Sequence, residues 1–178
     1  MREIEGERIK LRKLKLSDAK NIYNNVNDKE VVRWLLRIPH PYTLEDAVKF
    51  IRSTHYRIRK KSGYAFGIEL EGEIIGVVDL FSIDWENRNA ELGYWLGRKY
   101  WSRGLMTEAV RLILKFAFED LKLHRVTATL FEENSASRRV LEKTGFKLEG
   151  KRRKSRLKFG EWHNELLYGI LRSEYKEI

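Results

Sequence analysis

A short basic loop, Gly97–Gly104, carries residue types that bind phosphate in proteins. Arg98, Lys99 and Arg103 supply positive charge, and Gly104 stands directly before a segment with helical periodicity. The first N–H groups of a helix have no partner within the helix, and the helix dipole favours negative charge at that end. A strand that leads through such a loop into a helix N-terminus is therefore a candidate site for a phosphate group.

The stretch Ala90–Ala117 contains this loop and supplies the elements on either side of it. Before the loop, Leu92, Tyr94 and Leu96 alternate with other residues, which predicts a strand. After the loop, apolar residues at helical spacing predict a helix; they are Leu105, Ala109, Leu112, Ile113, Phe116 and Ala117. Neither GxxxxGK followed by Ser or Thr nor GxGxxG occurs, so the loop is not a P-loop or a dinucleotide fingerprint. The structural alternative is an ordinary strand–loop–helix connection.

The composition indicates one globular domain spanning residues 1–178, with 42% hydrophobic and 35% charged residues. The lack of cysteine excludes disulfides and thiolate metal sites, and the four histidines show no ligand spacing, so no metal is expected. No apolar run of about 18 residues occurs, which favours a cytoplasmic protein without a membrane segment. The net charge of +10 predicts attraction to anions such as a phosphorylated cofactor, acidic peptides or nucleic acid.

Periodicity and turn residues predict an α/β (α+β) fold. The predicted helices are Asp18–Val26, Asn27–Leu36, Leu44–Lys61, Leu105–Ala117 and Asn134–Thr144. The predicted strands are Glu7–Leu14, Tyr64–Leu70, Glu73–Ile83, the strand before Gly97, Arg125–Phe131, Phe146–Glu149, Arg152–Phe159 and Glu165–Leu171. Thr43 with Asp46 resembles a capping box, Glu71-Gly72 indicates a hairpin turn, and Gly145 is placed to end a helix. This order implies a mixed sheet with helices on both faces.

A second informative stretch is Glu132–Gly150, EENSASRRVLEKTGFKLEG. Together with YWL and GLMTEA in the first stretch, it closely resembles the GNAT superfamily of acetyl-CoA-dependent N-acetyltransferases. Within that superfamily the RimJ/RimL branch, which acetylates protein N-termini, is the most similar. The resemblance covers nearly the whole chain. It implies the GNAT fold with a mostly antiparallel sheet of about seven strands, acetyl-CoA as co-substrate, and a monomer or homodimer.

The resemblance also implies where the coenzyme's diphosphate binds. In the family, main-chain amides of a loop with the pattern Q/R-x-x-G-x-G/A hold it, and the corresponding window is Trp101–Met106. Gly104 matches the pattern, whereas Trp101 and Met106 depart from it. Because main-chain donors tolerate side-chain changes, the implied diphosphate ligands are the backbone groups of Arg103, Gly104, Leu105, Met106 and Thr107.

The rest of the coenzyme is placed by the same resemblance. The pantetheine arm would lie beside the strand before the loop, on backbone groups of Trp95 and Leu96, as an added strand does. Asn134 would bond the pantetheine, and either Arg138 or Arg139 would reach the adenosine 3′-phosphate.

Acetylation of an amine requires a neutral nucleophile, a polarised carbonyl and a protonated leaving thiolate. Many GNAT proteins use a Tyr seven residues after the motif Asn as the acid, but that place is Leu141 here. The RimJ/RimL branch has a Ser three residues after the Asn, and Ser137 matches it. Ser137 is therefore the predicted donor to the departing sulfur. Glu91, on the central strand, is the predicted base.

Each catalytic assignment has an alternative. Asp79 and Glu73 are rival bases, and Asp79 is also read as a paired structural acid. Ser137 could cap the helix that follows Asn134, and Glu91 could be a solvated strand carboxylate.

The acceptor is predicted less closely than the reaction. The leading prediction is the α-amino group of a protein, such as a ribosomal protein. IGVVDLFSID and LKLHRV also resemble spermidine acetyltransferases, which leaves a polyamine or other small amine open. A ribosome- or RNA-binding module on a degenerate GNAT scaffold is a third reading, because Lys151–Lys158 is either a solvated edge strand or a contact for rRNA. Trp34, Tyr42 and Trp162 either line the acceptor groove or belong to the core.

Overall fold

The computed structural model describes residues 2–176, and its centre is one eight-stranded sheet. The strands are β1 Ile4–Glu5, β2 Lys10–Arg12, β3 Tyr64–Leu70, β4 Glu73–Asp84, β5 Asn89–Leu96, β6 Arg125–Phe131, β7 Lys147–Lys158 and β8 Glu161–Leu171. Their order in the sheet is β1-β2-β3-β4-β5-β6-β8-β7, and every neighbouring pair is antiparallel except β5 with β6. The predicted mixed, mostly antiparallel sheet is confirmed.

Helices flank this sheet, and the predicted turn chemistry sets several of their ends. The helices are α1 Ala19–Val26, α2 Lys29–Val32, α3 Leu44–Arg59, α4 Leu105–Lys115 and α5 Ser135–Lys143. Thr43 and Asp46 form the predicted capping box at the start of α3. Gly145, which follows the C-cap residue Thr144 of α5, has a φ of +93°, and this left-handed conformation lets the chain turn back. The β3–β4 hairpin also turns at the predicted place.

Four predicted elements differ from the structure. The segments Phe146–Glu149 and Arg152–Phe159 are not two strands; they belong to the single strand β7, whose register with β8 shifts at two irregularities. The helix predicted over Asn27–Leu36 is confined to α2, because the chain then tightens into bonds from Trp34 to Val31 and from Leu35 to Val32. The strand predicted over Glu7–Leu14 pairs only as β2. Bulges and short edge pairings depend on the partner strand, which single-strand periodicity does not contain.

The two faces of the sheet carry separate cores. On one face α4 packs against buried residues of β3 to β8, including Leu80, Leu92 and Ile170. On the other face α1 and α3 cover β3, β4 and β5 through a second cluster that contains Ile22, Ile51 and Trp95. This second face is less covered across β6 and β8, where side chains such as Thr127, Thr129 and Leu167 are half-buried.

The strands β5 and β6 part from each other in the middle of the sheet. They pair only from Asn89 with Arg125 to Glu91 with Thr127. Beyond that point β5 stays paired to β4 as far as Leu96, while β6 stays paired to β8 as far as Phe131. Each strand therefore turns a free edge towards a gap, and the functional residues lie around this gap.

Candidate active site

The loop after β5 ends in an amide-lined turn. Gly104 occupies the N-cap position of α4 with a φ of +75°, the left-handed region that favours glycine. Its carbonyl oxygen accepts a bond from the Glu108 N–H at 3.1 Å, which closes the first turn. The N–H groups of Leu105, Met106 and Thr107 precede that bond and have no acceptor within the helix. Their position at the positive end of α4 suits a diphosphate.

Arg8 supports this loop from a distant part of the chain. Its Nε atom donates to Glu108 at 2.9 Å, and its Nη1 atom donates to the Arg103 carbonyl oxygen at 2.7 Å. A Cβ atom at Gly104 would lie 3.4 Å from the Arg8 Nη2 atom, so the guanidinium is directly beside the turn. Nothing in the local sequence pattern indicates Arg8, because its partners lie about a hundred residues away.

Ser137 meets a tyrosine of β5 on the side of the gap that α5 covers. The Asn134 side chain accepts a bond from the Ser137 N–H at 3.1 Å, so Asn134 caps α5 and the Ser137 hydroxyl is not the cap. The Ser137 Oγ atom lies 2.7 Å from the Tyr94 Oη atom. Burial raises the pKa of Tyr94 well above its usual range, which keeps its phenol protonated. The sequence indicates Tyr94 only as a member of the strand alternation.

Glu91 lies where the gap begins, on the other face of β5. Its Oε1 atom accepts a bond from the Thr129 Oγ1 atom of β6 at 3.0 Å, across the point where the strands part. Among residues 2–176 it forms no ion pair with an arginine or a lysine. Its carboxylate is thus available to a positively charged ligand.

The two rival acids have different surroundings. Arg57 donates through its Nη1 atom to both carboxylate oxygens of Asp79, at 3.1 and 2.8 Å. Burial raises the pKa of Asp79 to about 6, even though the Arg57 guanidinium acts in the opposite direction. Glu73 is exposed at the start of β4 and lines a polar cavity with Arg98 and Lys99, beyond the Leu96 end of β5.

A buried acid that the sequence does not single out lies on the far side of the gap. Glu165 of β8 is 1% exposed and stands opposite Phe131, at the end of β6. Its carboxylate accepts bonds from the Arg156 Nε atom at 2.7 Å and the Ser155 Oγ atom at 3.0 Å. Arg152 completes the cluster at 3.7 Å. Its three partners come from the irregular part of β7, so only the folded hairpin brings them together.

The segment 33–38 crosses over the gap. The Arg37 guanidinium lies over the Phe81 ring of β4, 5.0 Å from its centroid. Lys158 of β7 donates through Nζ to the carbonyl oxygens of Leu35 at 2.6 Å and Ile38 at 3.4 Å. Because β4 and β7 lie on opposite sides of the gap, the segment connects the two sides, and we refer to the face of β5, β6 and β8 beside it as the groove.

The remaining predicted ligands are partly engaged. The Leu96 carbonyl oxygen accepts a bond from the Trp101 indole at 2.8 Å, and the Trp95 side chain belongs to the α1–α3 core. Arg138 donates to the Glu132 carbonyl oxygen at 3.2 Å, whereas Arg139 is exposed. Of the three aromatic groove candidates, Tyr42 is buried, Trp34 is half-buried and Trp162 is exposed. These contacts leave Arg139 freer than Arg138 to reach a phosphate.

Residues 2–176 contain no candidate for a metal site or for a membrane-spanning helix. No cluster of three or more His, Asp or Glu side chains there could hold a metal ion. None of the helices in that range has the length and apolar character needed to cross a membrane.

The sequence and the fold both match known acetyltransferases. The family described as "Acetyltransferase (GNAT) domain" matches residues 8–147. "Probable N-acetyltransferase YjcK" of Bacillus subtilis is 36% identical over 94% of this chain and 96% of its own length. "Spermidine N(1)-acetyltransferase" of Escherichia coli is 25% identical over 94% of this chain and 88% of its own length. The solved ribosomal-protein-S5-alanine acetyltransferase of Vibrio fischeri is 26% identical, with a TM-score of 0.88 over 99% of this chain and 100% of that one.

Proposed function

The chain belongs to the GNAT acetyltransferase family, and we propose that this acetyl-CoA-dependent N-acetyltransferase acts on the N-terminal α-amino group of a protein. The observation that carries the proposal is the gap between β5 and β6. At the gap, one face of the sheet presents the Ser137–Tyr94 hydroxyl pair, and the opposite face presents the Glu91 carboxylate. A thioester in the gap would therefore have a proton donor on one face of the sheet and a proton acceptor on the other.

The coenzyme enters this scheme through the backbone. The amides of Leu105, Met106 and Thr107 bind the diphosphate, and the free edge of β5 directs the pantetheine arm into the gap. Binding through main-chain groups explains how the site tolerates Trp101 and Met106, which depart from the family pattern.

In the reaction two protons leave the acceptor nitrogen. Glu91 takes a proton from the acceptor's ammonium group, directly or through water, and the neutral nitrogen attacks the thioester carbon. A carbon–nitrogen bond forms, the tetrahedral intermediate collapses, and the carbon–sulfur bond breaks. Ser137 donates a hydrogen bond, and finally a proton, to the departing sulfur, and the second surplus proton of the nitrogen returns through water to the Ser137 oxygen. The products are an amide and the free thiol of CoA, and Glu91 releases its proton to solvent.

Tyr94 orients the serine in this step. Its phenol stays protonated because burial raises its pKa, so it donates to the Ser137 Oγ atom and leaves the serine's own hydrogen free to point at the sulfur. The phenol lies nearer to the Ser137 Oγ atom, at 2.7 Å, than to the Ser137 carbonyl oxygen, at 3.3 Å, so the hydroxyl is its main partner. Tyr94 is a positioning residue, and Ser137 is the group that contacts the reacting atoms.

The charges around the groove favour a single ammonium group over a polyamine. A polyamine carries several positive charges and needs several free carboxylates, but Asp79 is held by Arg57 and Glu165 by Arg156. Glu91 alone of these three acids makes no ion pair within the described chain. The basic segment Lys151–Lys158 would also repel a polycation. A protein N-terminus carries one charge at its end and extends away along the groove.

A ribosomal protein is the specific acceptor that we propose to test first. The Vibrio fischeri enzyme, which matches this chain over its whole length, is described as acting on alanine of ribosomal protein S5. The segment Lys151–Lys158 would additionally favour contact with the ribosome's anionic surface.

The test is a comparison of acceptors, read as release of free CoA thiol. We expect turnover with peptides that begin with Ser or Ala, including the first ten residues of ribosomal proteins, and no comparable turnover with spermidine. Faster turnover of spermidine than of every peptide would contradict the proposed acceptor and support the small-amine alternative. Saturating acetyl-CoA should also raise the melting temperature, and an unchanged value would contradict coenzyme binding itself.

A further inference from the structure

The groove carries a positively charged group that the proposed reaction does not use. Arg156 is held by the buried carboxylate of Glu165 at 2.7 Å, yet 43% of its side chain remains exposed. Arg152 approaches the same carboxylate at 3.7 Å with 55% of its side chain exposed. One carboxylate thus faces two guanidinium groups, which leaves one net positive charge. A buried acid that orients an exposed arginine prepares it to bind another anion, because a guanidinium has five donors and carboxylates accept two of them side by side.

This charge lies on the same face of the sheet as the proposed base. Phe131 stands opposite Glu165, and Thr129 precedes Phe131 by two residues, so all three side chains point to one face. Thr129 also donates to Glu91 at 3.0 Å. The groove therefore presents a negative group, Glu91, where the acceptor amine would bind. It presents a positive group, Arg156, near the Phe131 end of β6.

Strand spacing gives the separation of the contact partners of the two groups, Thr129 for Glu91 and Glu165 for Arg156. Two residues along a strand and one step to its neighbour place Glu165 about 8 Å from Thr129, at about 3.3 Å per residue and about 4.8 Å between strands. In an extended peptide, the first and third residues lie about 7 Å apart and point their side chains to the same side. A peptide whose amine is at Glu91 would therefore bring its third side chain close to Arg156.

We propose that the acceptor is a peptide with an acidic residue at about its third position, bound by Arg156. This inference rests on the proposed transfer to a protein N-terminus and specifies its substrate class. Asp or Glu at that position satisfies the charge left over from the Glu165 cluster, and the base Glu91 remains paired with the amine. The basic segment Lys151–Lys158, to which Arg152 and Arg156 belong, contributes four further cations and no acid.

The experiment compares two peptides that differ by one charge. Ser-Ala-Asp and Ser-Ala-Asn, each followed by the same neutral sequence, are assayed with wild-type enzyme for free CoA release. We expect a KM about tenfold lower for the Asp peptide, because a hydrogen-bonded charge pair contributes about that factor. Moving the Asp to the second position should reduce the preference, because that side chain points away. The preference should also fall as salt increases.

Substitution of the arginine identifies the group responsible. In Arg156→Gln the ratio of the two KM values should approach one, whereas in the control Arg153→Gln on the same strand it should stay at the wild-type value. Because Arg156→Gln leaves Glu165 with fewer partners, its melting temperature is measured first, and the wild-type peptide comparison decides the matter if the variant does not fold. Equal KM values for the two peptides with wild-type enzyme would overturn the inference and leave N-terminal acetylation intact. Failure of both peptides, together with turnover of small amines, would overturn both.

Discussion

One face of the central sheet is divided into a covered half and an open half. Across β3 to β5 the helices α1 and α3 bury it, and its core side chains, among them Ile51 and Ile74, are fully excluded from solvent. Across β6 to β8 the same face carries polar groups: Thr129, which donates to Glu91, and Glu165, which is paired with Arg156. We therefore expect stability to be concentrated in the first half, and the chemistry that we propose lies in the second half and along the boundary.

Three acids on this face differ in whether they have a positively charged partner. Asp79, under the covering helices, is held by two bonds from Arg57, as a buried charge must be. Glu165, in the open half, is buried by its own arginines. Glu91 lies between the halves, at the point where β5 and β6 part, and is the acid without such a partner in the described chain. A free carboxylate at a structural boundary is what a base for an incoming ammonium group requires.

The largest effect should come from the covered half. Ile51→Ala removes a fully buried side chain and should lower the free energy of unfolding by about 2–5 kcal/mol. The matched change Leu167→Ala in the open half removes a half-buried side chain and should cost clearly less. Denaturant unfolding of both variants measures the difference. Equal losses would mean that the two halves contribute equally to stability.

The second-largest effect should come from Glu91, at the boundary between the covered and the open half. Glu91→Gln should lower kcat about 100-fold, because general-base catalysis typically contributes at least that factor. The control Asp79→Asn should leave kcat close to the wild-type value. Free-thiol release at saturating peptide measures both.

The pH profile separates the two acids further. With Glu91 as base for an ammonium group that binds in its charged form, kcat/KM should fall above the pKa of the free α-amino group, about 7.7–8.0, because the acceptor then loses the charge that Glu91 binds. Since the pKa of Asp79 is raised to about 6, a base at Asp79 would add a rise near that pH, and Asp79→Asn would abolish it. Such a rise in the wild-type profile would identify Asp79, in the covered half, as the base.

A smaller effect should come from the hydroxyl pair. Ser137→Ala should lower kcat about tenfold or more with little change in acetyl-CoA affinity. Tyr94→Phe keeps the ring and loses the donor, so its loss should be smaller. The two losses should not add: Tyr94→Phe should have no further effect when Ser137 is already Ala.

The seleno-ester of acetyl-CoA provides a chemical control for this pair. Its selenol is more acidic than the thiol of CoA, so both variants should lose less activity with it. Equal losses with the two esters, or additive losses in the double variant, would contradict the role of the pair in protonating the sulfur.

The smallest effect should come from Arg8, beside the proposed diphosphate site. Arg8→Gln removes one charge beside Gly104 and should weaken acetyl-CoA binding about fivefold, with less salt dependence and an unchanged KM for the peptide. Calorimetric titration at two salt concentrations measures this. A changed peptide KM with unchanged coenzyme affinity would place Arg8 on the acceptor side.

The sequence predicts most of the elements and the local signals that begin or end them. The capping box at Thr43, the turn at Glu71-Gly72 and the glycine after α5 each depend on residues a few positions apart, and the structure has all three. The bulges of β7 and the shortness of α2 depend on partners elsewhere in the chain, and there the predictions were wrong.

The residues of the candidate site show the same difference between local and long-range signals. Gly104 and Ser137 lie within motifs, so the sequence indicated them, and their roles stay predictions. The contacts of Arg8 with Arg103, of Tyr94 with Ser137 and of Glu165 with Arg156 join residues on different elements. No pattern along one segment contains these contacts. Hydroxyl, carboxylate and guanidinium groups also occur throughout the chain, so their types alone do not identify the pairs.

The central claim is that acetyl-CoA lies in the gap between β5 and β6 with its diphosphate on the first turn of α4. Amide hydrogen exchange with and without acetyl-CoA tests it residue by residue. We expect the coenzyme to slow exchange of the Leu105, Met106 and Thr107 amides and of the gap-facing amides of β5 from Leu92 to Leu96. Unchanged exchange at both places under saturating acetyl-CoA, or protection confined to another part of the chain, would contradict it.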